Sequence, residues 1–92
     1  MAWKVFWKRK IEKQLNELPD PVLIQFRLLT TDIEVSGPVR GNWKNYSKLG
    51  PDRHHCHIKS GHPTYVVCWI VADKKCQIVE VYYVGTHEKA PY

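Results

Sequence analysis

The chain reads as one α+β domain of order β-α-α-β-β-β, an antiparallel sheet with an α-hairpin packed on one face. Two patterns in the sequence and its length carry that expectation. Apolar residues recur at helical spacing only between Ile11 and Ile33, whereas from Trp43 onward they alternate or run continuously between turn signals. The whole 92 residues are 43% hydrophobic, with four Trp and five Tyr, enough to fill one core without disulfides or metal. Residues 1–92 are therefore taken as a single domain.

The first element is a short strand, because Trp3, Val5 and Trp7 alternate with Ala2, Lys4 and Phe6. The period then changes: Ile11, Leu15 and Leu18 stand one helical turn apart in a polar background that stops at Pro19. Asp20-Pro21 reads as the cap and first turn of a second helix, whose stripe is Val22, Leu23, Phe26, Leu29 and Ile33 and whose end is Gly37-Pro38. The tight Leu-Pro-Asp-Pro link makes the two an αα-hairpin.

Trp43 to Leu49 alternates Lys44, Tyr46 and Lys48 with Trp43, Asn45 and Ser47 and reads as a strand, turned by Gly50-Pro51-Asp52 into the segment Arg53 to Lys59. After a second turn at Ser60-Gly61-His62-Pro63, the unbroken apolar run Tyr65 to Ala72 reads as a central strand holding Tyr65 and Trp69 in the core. Asp73-Lys74-Lys75 is its hairpin turn, and Cys76 to Val84 closes the sheet.

Composition narrows the chemistry. No apolar run approaches the roughly 20 residues needed to span a bilayer. The segment Met1 to Lys10 lacks an apolar signal core and a cleavage site, so a cytoplasmic protein is expected. Cys56, Cys68 and Cys76 lack CxxC spacing and read as reduced thiols. The net charge of +5 favours polyanionic partners. It is unevenly spread: two basic ends flank a middle that holds Asp20, Asp32 and Glu34 against Arg27 alone.

The densest chemistry lies in Arg53-His54-His55-Cys56-His57-Ile58-Lys59. As a strand it puts Arg53, His55, His57 and Lys59 on one face and His54, Cys56 and Ile58 on the other. The second face can enter a core, with His54 a satisfied inward histidine. The first gathers cations and imidazoles that a core would reject unpaired. If the helices cover the Cys56 side, Arg53, His55 and His57 form a shallow basic platform beside some of Lys44, Tyr46 and Lys48. Such a platform suits a phosphodiester and the movement of its protons, and its aromatics suit unpaired RNA bases. A metal site is not expected, because neighbouring strand residues point apart, so only His55 and His57 could share an ion, and structural zinc takes four ligands. His62, beside Pro63, reads as a turn residue.

The element order, the segment Gly41-Asn42-Trp43-Lys44-Asn45-Tyr46 and the closing Gly85-Thr86-His87 resemble, over nearly the whole chain, the RelE/ParE superfamily of bacterial toxin components, especially its YafQ-like branch. The resemblance implies a RelE-like, microbial-ribonuclease-type fold. It further implies a toxin–antitoxin toxin that acts as a metal-independent mRNA endoribonuclease in the ribosomal A site, partnered by a cognate antitoxin, the ribosome and mRNA, with no cofactor. In the YafQ-like pattern a histidine on the second sheet strand and one after the terminal Gly-Ser/Thr move the protons. His57 and His87 fall there.

The turn before the histidine strand is longer than in that pattern, which leaves His55 as an alternative to His57. Tyr92 sits one residue later than the family's final aromatic, and an acidic residue expected after the strand histidine is replaced by Lys59-Ser60-Gly61-His62. The resulting assignment is His57 and His87 as base and acid in either order, Arg53 and Lys48 on the phosphate, and Lys44 near the leaving group or the RNA backbone. His55, Lys59, Tyr46, Tyr83 and Tyr92 contact RNA, with Tyr83 and Tyr92 stacking on or orienting the scissile base. The alternative within the same superfamily is a ParE-like gyrase inhibitor without nuclease chemistry.

Overall fold

The structure, a computed structural model, describes residues 2–92; Met1, part of the segment read above for a signal, lies outside them. Among the described residues five strands and two helices form two layers: β1 (Lys4–Phe6), α1 (Arg9–Asn16), α2 (Asp20–Ser36), β2 (Ser47–Lys48), β3 (Arg53–Lys59), β4 (Tyr65–Asp73) and β5 (Ile78–Thr86), followed by a 3-10 turn at His87–Lys89. The strand order is β1-β5-β4-β3-β2. Pairings among β2 to β5 are antiparallel as expected, but β1 lies parallel to β5, so the sheet is mixed. The helix pair carries the chain from β1 at one edge of the sheet to β2 at the other, and the parallel pairing of β1 with β5 is of the kind that a tight hairpin cannot make.

The α-hairpin covers one face. Ile11 and Leu15 of α1 and Val22, Phe26, Leu29 and Ile33 of α2 pack on Cys56, Ile58, Val67, Trp69, Val79, Val81 and Val84. Trp69 is fully buried, and its indole N–H donates to the Pro38 carbonyl at 3.0 Å, so the largest core side chain leaves no polar group unpaired. Tyr65 is half-buried against the same cluster. Pro19, rather than Asp20, occupies the cap position of α2, and Asp20 is the first helical residue. Gly37 ends that helix with φ of 93°, and an added Cβ would meet the Trp3 indole nitrogen at 3.2 Å. No helix among the described residues is long and apolar enough to cross a membrane.

Three local departures from the sequence reading matter for the site. The stretch expected as a strand from Trp43 to Leu49 is mostly turn, with only Ser47 and Lys48 extended, because Asn45 adopts a left-handed φ of 53°. Cys76 lies in the β4–β5 turn, its amide bound to Asp73 Oδ1 at 2.9 Å, and β5 begins at Ile78 and runs to Thr86. The register of β4 on β5 shifts between Cys68 and Trp69, which leaves Tyr82 as an extra residue.

Candidate active site

The face away from the helices is not bare. Val66, Cys68 and Tyr83 form a second buried cluster there, with Leu49, Tyr82 and Ala90 packed against it. The bulge at Tyr82 lets two successive tyrosines face this side. Tyr83 is buried at 8% exposure, and its hydroxyl donates to the Thr86 carbonyl at 2.7 Å. It therefore supports the chain end from below and offers no open face to a base, contrary to the stacking role expected of it. Tyr82 instead receives Arg53, whose guanidinium carbon lies 5.9 Å from the ring centroid.

On that base the C-terminal segment folds back over β3. The His87 amide donates to the Thr64 carbonyl at 2.8 Å, tying the 3-10 turn to the β3–β4 loop. Four rings then close a circuit: His57 to His87 at 5.4 Å between centroids, His87 to Tyr92 at 5.8 Å, Tyr92 to His55 at 4.9 Å and His55 to His57 at 6.1 Å. His55 and His57 point to one face because they are two apart on a strand, as the alternation predicts, and glycine followed by the 3-10 turn delivers His87 and Tyr92 to them.

The electrostatics favour neutral imidazoles on β3. Partial burial, then the charges of His87, His55 and Lys44, hold His57 below the ordinary histidine pKa. Burial also lowers His55, against a raising hydrogen bond to the Ser47 carbonyl. Cys68, beneath the cluster, is pushed up to about 12 by burial, as is Cys56 on the core side, so neither thiol is a nucleophile at neutral pH.

The other candidates separate by register. Lys44 adjoins the site through its backbone: its carbonyl accepts the His57 amide at 2.8 Å, and its cation is the last of the causes that lower the His57 pKa. Lys48 does not. It pairs with His54 across β2–β3, and facing residues of an antiparallel pair share a side, so its side chain leaves the sheet on the side away from His55 and His57. Ser47 takes the place facing His55, with its hydroxyl 3.1 Å from Nδ1. Lys59 is exposed but lies beyond a register shift that pairs it with Tyr65, a helix-side residue, so it too leaves the histidine face. Tyr46 also turns to the helix side, where it shares a 2.7 Å hydrogen bond with His54 Nδ1 and packs near Trp69. His54 is 2% exposed, stacked on Trp69 at 5.8 Å, and kept neutral by burial and the Lys48 charge.

His62, read from the sequence as a turn residue, and Glu88, unassigned there, join the site. With His57, His87, Thr64 and Thr86 they line a cleft of about 290 Å³ between the β3–β4 loop and the 3-10 turn. No sequence signal marks His62, since its place depends on the loop that the His87 amide closes. A larger cavity of about 490 Å³ lies between α1, β5 and the tail and contains none of the histidines. Among the described residues no group of three or more His, Cys, Asp or Glu side chains could hold a metal ion.

No protein-family model matches the chain. No curated protein matches its sequence significantly. Two solved structures are similar in fold. An arginine-to-alanine double mutant of the E. coli toxin RelE in the free state superposes with a TM-score of 0.74 at 20% identity, over 98% of this chain and 88% of that one. The archaeal RelE–RelB complex of Pyrococcus horikoshii gives 0.71 at 16% identity, over 98% and 100%. From its first strand to its histidine-bearing tail, this chain has the RelE fold.

Proposed function

We propose that the chain is the toxin of a toxin–antitoxin pair and cleaves mRNA on the ribosome by general acid–base catalysis. One observation carries this reading: on a RelE fold, His57 and His87 stand 5.4 Å apart on the face away from the helices, with Tyr92 and His55 completing the ring. Hydrogen bonds of about 2.7–3.2 Å let one phosphodiester contact both imidazoles. His57, held neutral, removes the proton of the ribose 2′-OH. The 2′-oxygen then bonds to phosphorus, the P–O5′ bond breaks, and His87 protonates the departing 5′-oxygen. The products are a 2′,3′-cyclic phosphate and a 5′-hydroxyl. Lys44 and Arg53 offset the charge that builds on the phosphoryl oxygens. Tyr92, 53% exposed, offers a ring for stacking an unpaired base, and the cleft beside His62 and Glu88 leaves room for the next nucleotide.

The partner follows from the same face. An antitoxin segment that covers the basic cluster would keep RNA out, and the likeness to a RelE–RelB complex supports such a partner. The test is induced expression in a bacterial host with mapping of 5′ ends on a translated message. Translation-dependent cuts within codons are expected. Growth arrest with intact messages and inhibited gyrase would overturn the nuclease reading in favour of a ParE-like toxin.

A further inference from the structure

Lys44 is held beside His57 without an ion pair: among the described residues the salt bridges are Lys8–Glu80 and Arg40–Asp32. Its backbone is tied to β3 directly, the carbonyl accepting the His57 amide at 2.8 Å, and where its side chain lies depends also on the chain on either side. After it, Asn45 turns the chain and Tyr46 is fixed to His54. Before it, the loop is gathered by one carboxylate on α2. Asp32 Oδ2 accepts from Trp43 Nε1 at 2.8 Å, Asn42 Nδ2 at 3.2 Å and Arg40 Nη1 at 3.2 Å, so one oxygen anchors three of the four residues ahead of Lys44. Arg40 adds a second tie, from Nη2 to the Ser36 carbonyl at 3.4 Å, and the Trp43 amide closes a turn on the Arg40 carbonyl at 2.9 Å.

We infer that Asp32, on α2 and with no bond to any histidine, is a positioning residue for the site. Its carboxylate fixes the Arg40–Trp43 turn and thereby sets the Lys44 cation against His57. The inference rests on the reading of Lys44 and His57 as working residues, but the contact chain itself does not need RNA. The donors hold the Asp32 carboxyl below its ordinary pKa, with the Trp43 indole first, then Asn42 and Arg40, so the carboxylate keeps its charge at neutral pH. Asparagine at this position keeps an acceptor oxygen but removes the charge that draws three donors together, so the turn loosens and Lys44 moves away from His57.

The experiment is titration of the histidine side chains by NMR in the full chain. The charged or titratable groups around His57 are Lys44 from the loop, His55 from β3, His87 from the tail, and His62 and Glu88 across the cleft. Asp32→Asn should raise the His57 midpoint, because a neighbouring cation has withdrawn, while the His54 midpoint stays in place, its partners being the Tyr46 hydroxyl, which lies after the Asn45 turn, and the charges of Lys48 and Asp52. Lys44→Met should raise it too, and adding Asp32→Asn to that variant should change nothing further. Trp43→Phe, which removes one N–H and keeps an aromatic ring, should act in the same direction and carries the test if Asp32→Asn does not fold. In cleavage assays Asp32→Asn should lower kcat by about tenfold, within what a displacement near 1 Å costs.

An unmoved His57 midpoint in Asp32→Asn, or an equal shift with and without Lys44, overturns the inference. A shift without RNA cleavage in any variant leaves the inference standing and removes the nuclease reading.

Discussion

Gly85 is extended and not left-handed, so alanine there is permitted by the backbone. What forbids it is Tyr83. A Cβ at position 85 would stand 2.7 Å from the Tyr83 hydroxyl and 3.1 Å from its ring carbon Cζ, and that ring is buried with its hydroxyl committed to Thr86. Gly85→Ala must therefore displace a rigid side chain. Overpacking of a filled site costs about 1–3 kcal/mol. Losing the Tyr83–Thr86 bond adds about 0.5–1.5 kcal/mol. Together these predict a loss of about 1.5–4.5 kcal/mol, or roughly 6–36 °C in Tm for a domain of this size. Thermal and urea unfolding measure it directly. Tyr83→Phe removes the nearer contact, so Gly85→Ala should cost less in that background. A Tm within about 4 °C of wild type, less than 1 kcal/mol, would mean that Tyr83 yields freely and does not brace the turn that carries His87.

Stability should also depend on pH through the histidines of β3. Burial depresses His54, His55 and His57 in the folded state, so the unfolded chain binds protons first on acidification. Their contribution is full above the unfolded value of about 6.5 and is lost as pH falls through the folded values, so urea midpoints at pH 8 and pH 5 should differ, and less so in His54→Gln. Trp69→Ala should cost about 3–5 kcal/mol in unfolding experiments, as expected for a fully buried indole. Lys44→Ala should slow RNA cleavage while Lys48→Ala leaves it near wild type; the opposite order would refute the register argument that separates them.

The elements with strong periodicity were legible in the sequence. Val22, Phe26, Leu29 and Ile33 form a buried stripe on α2, and Arg53 to Lys59 is the strand whose alternation sends His54, Cys56 and Ile58 inward. The site was less legible, for reasons of register. A single left-handed residue, Asn45, diverts Tyr46 to the helix side and shortens β2, which reverses the expected side of Lys48. Extra residues at Ile58 and Tyr82 break the two-residue period and redirect Lys59 and Tyr83. Such shifts depend on pairing partners distant in sequence, which local alternation does not encode. His62 belongs to the same class: the clasp between His87 and Thr64 ties its loop to the tail across the cleft.

The decisive comparison is cleavage of a translated message by the wild type, His57→Ala, His87→Ala and the double variant, each first shown to be folded. Two histidines that serve one transition state act as a unit. Each single substitution should then lower the rate about a hundredfold or more, and the double should lose little beyond the worse single. Cleavage by the double variant at the wild-type rate, at the same positions, would show that the histidine pair does not carry the chemistry.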